Sequence, residues 1–432
     1  MIESTGDIAT EKTANVRDAT GTIITKGRNN EDGNREIFLF DYAQRRIFQL
    51  TVTESVVRVS ATPTPTPAAT PTPAPSPTPV PLTSVDIEVS NNKPVISYDG
   101  KWIAFSSNAL SPASFDANEA GNKAALGTTD ANQEIFLYRI PDITPADLAS
   151  GVEVPRVNLD AGTFTRLTNT PASRPPQPGG TGAAGPFSPF VAFDNRDVAV
   201  NDDASFVAFV STRRLTTANS LTNDDENPEI YVYDRVSSSF SQLTDTQGRQ
   251  VFSENPTLSG DGTSIAFISN ANIQDSAGAS NNADGSAEVY LAGFNGTGRS
   301  TLRQVTSTTL SAGLSVNIFS PGRRISRNGG FLAFESYADL AGNGAIQTSP
   351  GLYLYNVAAH AFTLVGARAG STDASVIRYP TFSGYSSTLV FGSSLNFKSD
   401  GTAPATAAEG LNPGRNGQVF RRRLRRRRRS LV

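Results

Sequence analysis

A short strand-like segment recurs six times along this chain and constrains its fold more than any other feature. The copies read NREIFLFD (34–41), NQEIFLYR (132–139), NPEIYVYD (227–234), SAEVYLAG (286–293), PGLYLYNV (350–357) and NGQVFRRR (416–423). Self-similarity of this kind is typical of repeat architectures, in which each repeat is one supersecondary unit. We therefore expect several stacked copies of one small β-unit.

Two further patterns, each found five times, accompany the copies in a fixed order. A turn that runs into an apolar strand precedes the copy, and a short strand ending in Leu-Thr or a similar pair follows it. Asp-Gly or Asn-Gly in the turn supplies the positive φ angles that a tight hairpin requires. The turn segments are SYDGKWIAF (97–105), NDDASFVAF (201–209), SGDGTSIAF (259–267), SRNGGFLAF (326–334) and SGYSSTLVF (383–391), and the closing strands are IFQLT (47–51), FTRLT (164–168), FSQLT (240–244), LRQVT (302–306) and FTLVG (362–366).

Each unit therefore reads as strand, turn, strand, loop, strand, turn, strand, with no helical period. A four-stranded unit of about 40–50 residues plus loops predicts a β-propeller blade. A β-sandwich does not demand near-copies of one strand, and a parallel β-helix repeats at shorter spacing. We predict an all-β fold, a β-propeller of four-stranded antiparallel blades with six blades; five complete blades or an incomplete ring is the alternative.

The segments SGDGTSIAFIS and DDENPEIYVYD resemble the TolB-like, WD40-like β-propeller repeat of bacterial envelope proteins. The resemblance covers about residues 20–420, and the blade at 256–306 fits best. It implies six blades, with an N-terminal strand completing the last one, for which residues 5–18 are the candidate. The N-terminal α/β domain of TolB has no counterpart here, so the resemblance does not carry over TolB's partner-binding role.

The composition divides the chain into four segments. Residues 1–60 form a first, partial blade, and residues 61–82 form a Pro/Thr-rich linker or loop with polyproline II character. Residues 83–420 form the remaining blades, and residues 421–432 form an Arg-rich disordered tail. Alternatively, residues 1–60 are a separate piece tethered to a five-bladed ring.

Charge is distributed unevenly. The chain has 37 basic and 40 acidic residues, and eight of the arginines lie in RRRLRRRRRSLV at 421–432, so residues 1–420 carry 29 − 40 = −11. No aromatic residues are interleaved with these arginines to stack bases, and no nucleic-acid-binding module accompanies them. We therefore expect no specific nucleic acid partner and interpret the tail as a solvated terminus.

The sequence indicates no catalytic site. Its one histidine, His360, lies in a predicted surface turn, and no G-x-S-x-G elbow presents a serine nucleophile. Without cysteine, and with one histidine, the usual zinc ligand sets are missing. We name no catalytic, cofactor-binding or metal-ligating residue, and no cofactor. The recurring Glu36, Glu134, Glu229 and Glu288 are interpreted as structural.

Three functions remain open at this stage. The first is a non-catalytic scaffold that binds a protein or glycan partner through loops on one face. The second is an accessory propeller of a hydrolase or peptidase whose catalytic domain lies outside this chain. The third is calcium-dependent adhesion through the loops 29–36, 115–122, 222–229 and 281–288, whose Asp and Asn residues equally suit turns.

The expected localisation and oligomeric state are inferred from the hydropathy of the chain and from its Thr-Pro tract. No stretch approaches the roughly 20 apolar residues that span a bilayer, so no membrane span is expected. The Thr-Pro tract favours a periplasmic or extracellular protein, and the chain, which carries no signal sequence, is expected to be a fragment or domain of it. We expect a monomer.

Overall fold

The protein, described from a computed structural model, is an all-β propeller with six blade sheets in chain order. Among the described residues, the one helical element is a single 3₁₀ turn, Ala407–Glu409. The structure describes residues 1–54, 56–59, 84–87, 89–113, 132–143, 147–152, 154–173, 192–309, 315–366, 368 and 378–424. The Pro/Thr-rich residues 61–82, the loop 115–122 and residues 425–432 of the predicted tail lie outside this part of the chain.

Blade one is a three-stranded sheet; one small hairpin lies between its first two strands along the chain, and another follows its last strand. The strands of this region are β1 (Ile2–Ser4), β2 (Val16–Arg17), β3 (Ile23–Thr25), β4 (Glu36–Asp41), β5 (Arg46–Gln49), β6 (Val56–Val59) and β7 (Ser84–Ile87). The blade has the order β1-β4-β5, while β2 pairs with β3 and β6 with β7. β1 thus takes the place beside β4 that the second strand takes in the other blades.

Blades two to five each contain four strands that follow one another in chain order across the sheet. Blade two consists of β8 (Asn91–Ile96), β9 (Trp102–Ser107), β10 (Glu134–Arg139) and β11 (Thr163–Arg166); blade three of β12 (Asn195–Val200), β13 (Phe206–Ser211), β14 (Glu229–Asp234) and β15 (Ser239–Gln242); blade four of β16 (Ser253–Leu258), β17 (Ser264–Ser269), β18 (Glu288–Phe294) and β19 (Arg299–Gln304); blade five of β20 (Asn317–Ile318), β21 (Phe331–Ala338), β22 (Ile346–Asn356) and β23 (Ala361–Leu364).

Blade six has three strands, β24 (Arg378–Phe382), β25 (Thr388–Ser393) and β26 (Gln418–Arg423). β26 pairs with β25 over its whole length, from Ser393↔Gln418 to Thr388↔Arg423. The first three arginines of the predicted tail, residues 421–423, therefore belong to a blade strand. No described residue takes the fourth-strand position beside β26.

The prediction that residues 5–18 complete the last blade is wrong. Val16 and Arg17 pair with Thr25 and Ile23 in the β2–β3 hairpin, and the Thr10 N–H donates to the Ile47 carbonyl on β5. Segment 5–18 therefore lies beside blade one. Its alternation of polar and apolar residues is too weak to fix a strand register, which depends on a consistent buried face.

The chain forms two compact units, Met1–Pro94 with Phe105–Arg196, and Val95–Ala104 with Asp197–Val432. In both units the core is built from the aromatic residues of the repeats. In four of the five blades with a turn segment, the phenylalanine that closes this segment stacks on the aromatic residue of the third strand, at ring-centroid distances of 5.6–6.0 Å. These pairs are Phe105–Phe136, Phe209–Tyr231, Phe267–Tyr290 and Phe391–Phe420.

The recurring glutamate joins each blade to the strand that follows it. Glu36 is fully buried and accepts hydrogen bonds from the Thr53 N–H at 2.6 Å and from the Asn91 side-chain amide, at the start of β8, at 3.0 Å. The same arrangement recurs as Glu134–Thr170–Asn195 and as Glu288–Thr308–Asn317. Buried carboxylates are stable only when hydrogen-bonded in this way. The structural interpretation of these glutamates is therefore confirmed.

Two blades depart from this network. In blade three, Ser253 stands where the next strand elsewhere begins with asparagine, so Glu229 accepts the Thr246 N–H but no side-chain amide from that following strand. In blade five, Gly351 replaces the glutamate. The Arg368 guanidinium fills the space, lying 3.1 Å from where a Cβ on Gly351 would stand, and donates to the carbonyls of residues 336, 338 and 349.

Candidate functional site

The candidate site is built on the hairpin turns between the first and second strands of blades two to six. The predicted Asp-Gly chemistry is present there. In blade four, Ser259 donates to Asp261 at 2.6 Å, Asp261 accepts the Thr263 N–H at 3.0 Å, and Gly262 has a φ of 74°. Ser97 and Asp99 of blade two, and Ser326 and Asn328 of blade five, repeat these bonds. The serine and the acid are therefore turn-forming residues.

Hydrogen bonds join these turns to one another within the second unit. The Asp99 N–H donates to the Asp202 carbonyl at 3.0 Å, and the Asp202 N–H donates to the Gly260 carbonyl at 2.9 Å. The Gly260 N–H donates to the Arg327 carbonyl at 2.6 Å, and the Asn328 N–H donates to the Ser386 hydroxyl at 3.0 Å. We call this row of turns the turn belt. It consists of residues 97–100, 201–204, 259–262, 326–329 and 383–386.

Side chains of the turn belt form one cluster. The Arg327 guanidinium binds the Asp202 carboxylate at 2.5 Å and lies 3.9 Å from the centre of the Tyr98 ring. Tyr385 packs edge-on against Tyr98, with ring centroids 6.5 Å apart. The hydrogen bond that Arg327 donates to Asp202 raises the pKa of Arg327, and a hydrogen bond with Tyr385 raises the pKa of Tyr98. Both groups therefore keep their protons over the physiological pH range.

Two glycines make room for this cluster. A Cβ on Gly384 would lie 2.2 Å from the Tyr98 ring, and a Cβ on Gly260 would lie 2.5 Å from the Arg327 side chain and 2.6 Å from the Asp202 carboxylate. Positions where a ligand or another side chain approaches the backbone closely require glycine. These glycines thus hold the ring and the ion pair against the turns.

The cluster remains accessible from solvent. Tyr385 is 79% exposed and Tyr98 is 37% exposed. Beside them, Arg235 lies 4.5 Å over the ring of Trp102 and donates from Nε to the Ala204 carbonyl at 3.0 Å. The surface therefore combines aromatic rings with fixed guanidinium groups, a composition suited to binding. Arrangements of this kind do not transfer protons near neutral pH, because neither tyrosine nor arginine titrates there.

The residues considered for chemistry from the sequence lie elsewhere. His360 is exposed in the turn between β22 and β23, with a φ of 50°. In the loop 222–229, Asp224 pairs with Arg214 at 3.1 Å and Glu226 pairs with Arg213 at 2.9 Å. Among the described residues, no three His, Asp or Glu side chains lie together as a metal site requires. Nor does any helix within those residues have the length and apolarity to cross a membrane.

Sequence reasoning missed the cluster itself. Its members occupy the variable second position of the S-x-D-G turn or lie next to it, and this position reads Tyr98, Asp202, Gly260, Arg327 and Gly384. An alignment of the five turns would have shown that this position holds one tyrosine, two charged residues and two glycines. The other three positions mostly hold the Ser, Asp, Asn and Gly residues that build the turn.

The chain is similar to several solved β-propellers at low identity. TolB from Acinetobacter baumannii is 14% identical with a TM-score of 0.34, over 77% of this chain and 54% of that one. A putative TolB from Agrobacterium tumefaciens is 13% identical with a TM-score of 0.35, over 79% and 92% of the two chains. The β-propeller domain of the Trilobed protease from Pyrococcus furiosus is 7% identical with a TM-score of 0.32, over 71% and 77%.

The chain thus spans about half of the Acinetobacter TolB chain. No protein-family model matches the sequence, and no curated protein matches it. The β-propeller fold therefore rests on the blade sheets and on the turn and strand motifs of the chain itself.

Proposed function

We propose that this chain is a non-catalytic β-propeller scaffold of an exported bacterial protein, and that it binds a protein or glycan partner through the turn belt. The observation that carries the proposal is the cluster of Tyr98, Arg327 and Tyr385 on an exposed, hydrogen-bonded row of turns. Tyrosine and arginine are the residues most enriched at energetically dominant positions of interfaces.

The geometry supports binding because the cluster is held in place before a partner arrives. The Arg327 guanidinium has its orientation fixed by Asp202 and by the Tyr98 ring, and Gly260, which has no Cβ, lets the Arg327 side chain pack against the turn. Side chains that are already ordered lose less conformational entropy on association. The exposed ring of Tyr385 suits either an aromatic or aliphatic protein side chain or the apolar face of a sugar ring.

The experiment is affinity capture from bacterial envelope extract, at low and at high salt, with the wild-type chain and matched variants. Tyr385→Ala should weaken capture by about thirtyfold, which corresponds to about 2 kcal/mol for a central aromatic residue. Tyr42→Ala is the control, because Tyr42 is a comparably exposed tyrosine, at 74%, on blade one. Capture that resists high salt and is lost only in Tyr385→Ala supports the proposal; equal loss in both variants, or capture that vanishes in salt, contradicts it.

A further inference from the structure

Blade six is one strand short on its outer side. In blades two to five, the third strand is flanked by a fourth strand; in blade three, for example, Tyr231 to Asp234 of β14 pair with Gln242 to Ser239 of β15. β26 is the equivalent third strand, since Phe420 pairs with Phe391 as Tyr231 pairs with Phe209. Beyond β26 no described residue forms a strand, so no described strand pairs with its outer edge.

The hydrophobic part of the missing strand is already replaced. In blades two, three and five, a phenylalanine of the fourth strand packs on the second-strand phenylalanine at 5.9–6.2 Å, as in the pair Phe209–Phe240. In blade six, Phe397 from the loop after β25 packs on Phe391 at 6.2 Å and on Phe420 at 4.6 Å, and it is buried. An added strand would therefore not have to supply this phenylalanine. It would bind through backbone hydrogen bonds and through side chains of suitable charge.

The lining of the cleft beside β26 holds four basic residues and one acidic residue, Asp400. The cleft has a volume of about 940 Å³ and lies against β26, with Arg421, Arg422 and Arg423 in its lining. Within the described part of the chain, none of these three arginines has an acidic side chain at ion-pair distance, whereas Lys398 in the same lining is paired with Glu409 at 3.2 Å. Three unpaired positive charges on one edge strand favour an anionic partner.

We propose that the free edge of β26 receives an extended, acidic peptide segment of another protein, which adds to blade six as its fourth strand. Strand addition supplies affinity through main-chain hydrogen bonds, and opposite charges on facing residues add to it. The pairing in blade three predicts that four peptide residues lie opposite Phe420 to Arg423, with carboxylates facing the arginines. A second copy of this chain is disfavoured as the occupant, because its own arginine-rich edge carries the same charge.

The test is the binding of two synthetic peptides to the full chain, measured by fluorescence anisotropy. One peptide of about six to eight residues alternates glutamate with valine or threonine. The other has the same glutamates but proline at the alternate positions, so it keeps its charge and cannot donate to a strand. Strand addition predicts binding at least about tenfold weaker for the proline peptide. Equal binding of the two would mean charge attraction alone and would overturn the proposal.

Variants locate the site. The double variant Arg421→Glu with Arg423→Glu should abolish binding, while Arg303→Glu, on the exposed face of β19, should leave it unchanged. Hydrogen exchange should slow at the backbone amides of residues 418–424 when the valine peptide binds. Slower exchange only at other residues would refute the assignment. Self-association of the chain would refute it as well, if the association is lost in the double variant and the peptide does not displace it. Arg421 and Arg423 lie outside the turn belt, although Asn328, Tyr385 and Ser386 of the belt also line the cleft.

Discussion

Ser253 offers a direct test of the network that joins the blades. In the three complete copies, asparagine donates its side-chain amide to the preceding glutamate, to the carbonyl before that glutamate and to the paired threonine, as Asn317 does to Glu288, Ala287 and Thr308 at 2.9–3.1 Å. Ser253 lies at the same position and already donates its N–H to the Pro228 carbonyl. The substitution Ser253→Asn should therefore complete the fourth copy.

The surroundings of Ser253 already suit an asparagine. In the complete copy, the Ser336 hydroxyl donates to the Asn317 side-chain carbonyl at 2.8 Å, and Ser269 occupies the matching position beside Ser253. A buried hydrogen bond to a charged group contributes about 1.5–3 kcal/mol. We expect Ser253→Asn to raise the free energy of unfolding by an amount in this range, and the reverse change, Asn317→Ser, to lower it by a similar amount.

The stability gained by Ser253→Asn should also depend on pH. Burial raises the pKa of Glu229 from 4.5 to about 7, against the hydrogen bonds from Thr244 and Thr246. At Glu229 the folded chain therefore binds more protons than the unfolded chain between these values, and the contribution of this group to stability is greatest below pH 4.5 and falls as the pH rises through 7. The loss is roughly 3–4 kcal/mol, which is 7 − 4.5 = 2.5 pKa units at about 1.4 kcal/mol each. An amide donor favours the carboxylate, so Ser253→Asn should reduce this loss.

The assay is urea unfolding at several pH values, followed by circular dichroism and by the fluorescence of Trp102. Glu226→Gln, in an exposed ion pair, serves as the control for an altered charge. The reasoning predicts a larger gain for Ser253→Asn above pH 7 than below pH 4.5. A destabilised Ser253→Asn, or a gain that is the same at every pH, would refute it.

Three further substitutions test other parts of the structure. Arg368→Ala should lower the free energy of unfolding by about 2–4 kcal/mol, because it empties the space beside Gly351 and leaves three carbonyls without their donor. Arg368→Lys should restore little of this loss, since only the forked guanidinium reaches all three carbonyls. Urea unfolding measures both variants. Phe397→Ala should cost about 3–5 kcal/mol in the same assay, because no fourth strand covers Phe391 and Phe420; a cost below about 1 kcal/mol would mean that Phe397 does not replace that strand. Gly384→Ala should displace the Tyr98 ring and weaken envelope capture, whereas Gly417→Ala, where a Cβ meets nothing, should not; equal capture by both would contradict the role given to Tyr98.

Much of the fold could be predicted from the sequence because the repeats encode it locally. The Asp-Gly and Asn-Gly turns and the Ile-Ala-Phe runs are short-range signals, and each turn segment leads into the expected second strand. The ends of the repeat array were predicted less well. β1 pairs with β4, although its segment does not have the composition of a blade strand, and β26, the sixth copy of the recurring strand, extends into the arginines that were also interpreted as the start of a tail. Each pairs because the neighbouring strand has an edge with unpaired backbone groups, and this depends on the tertiary structure rather than on the local sequence.

The candidate site could not be predicted for a related reason. Tyr98 and Tyr385 are separated by 287 positions in the sequence, and their contact depends on which hairpins of the second unit face each other. First-strand irregularities were missed as well. Lys93, Asp197, Asn255 and Tyr379 all have φ angles near 50°, a region that non-glycine residues seldom occupy. No local residue signal marks these positions.

The most direct measurement is site-specific photo-crosslinking of the full chain in envelope extract, with a benzophenone amino acid in place of Tyr385 or of Ala277. Residue 277 lies in the loop between the second and third strands of blade four, at the strand end opposite to that blade's turn in the belt. The account predicts a discrete adduct from position 385 that disappears when Arg327→Ala is added, and no adduct from position 277. Adducts from position 277 alone would contradict binding through the turn belt. An adduct from position 385 that persists in the Arg327→Ala variant would contradict it as well.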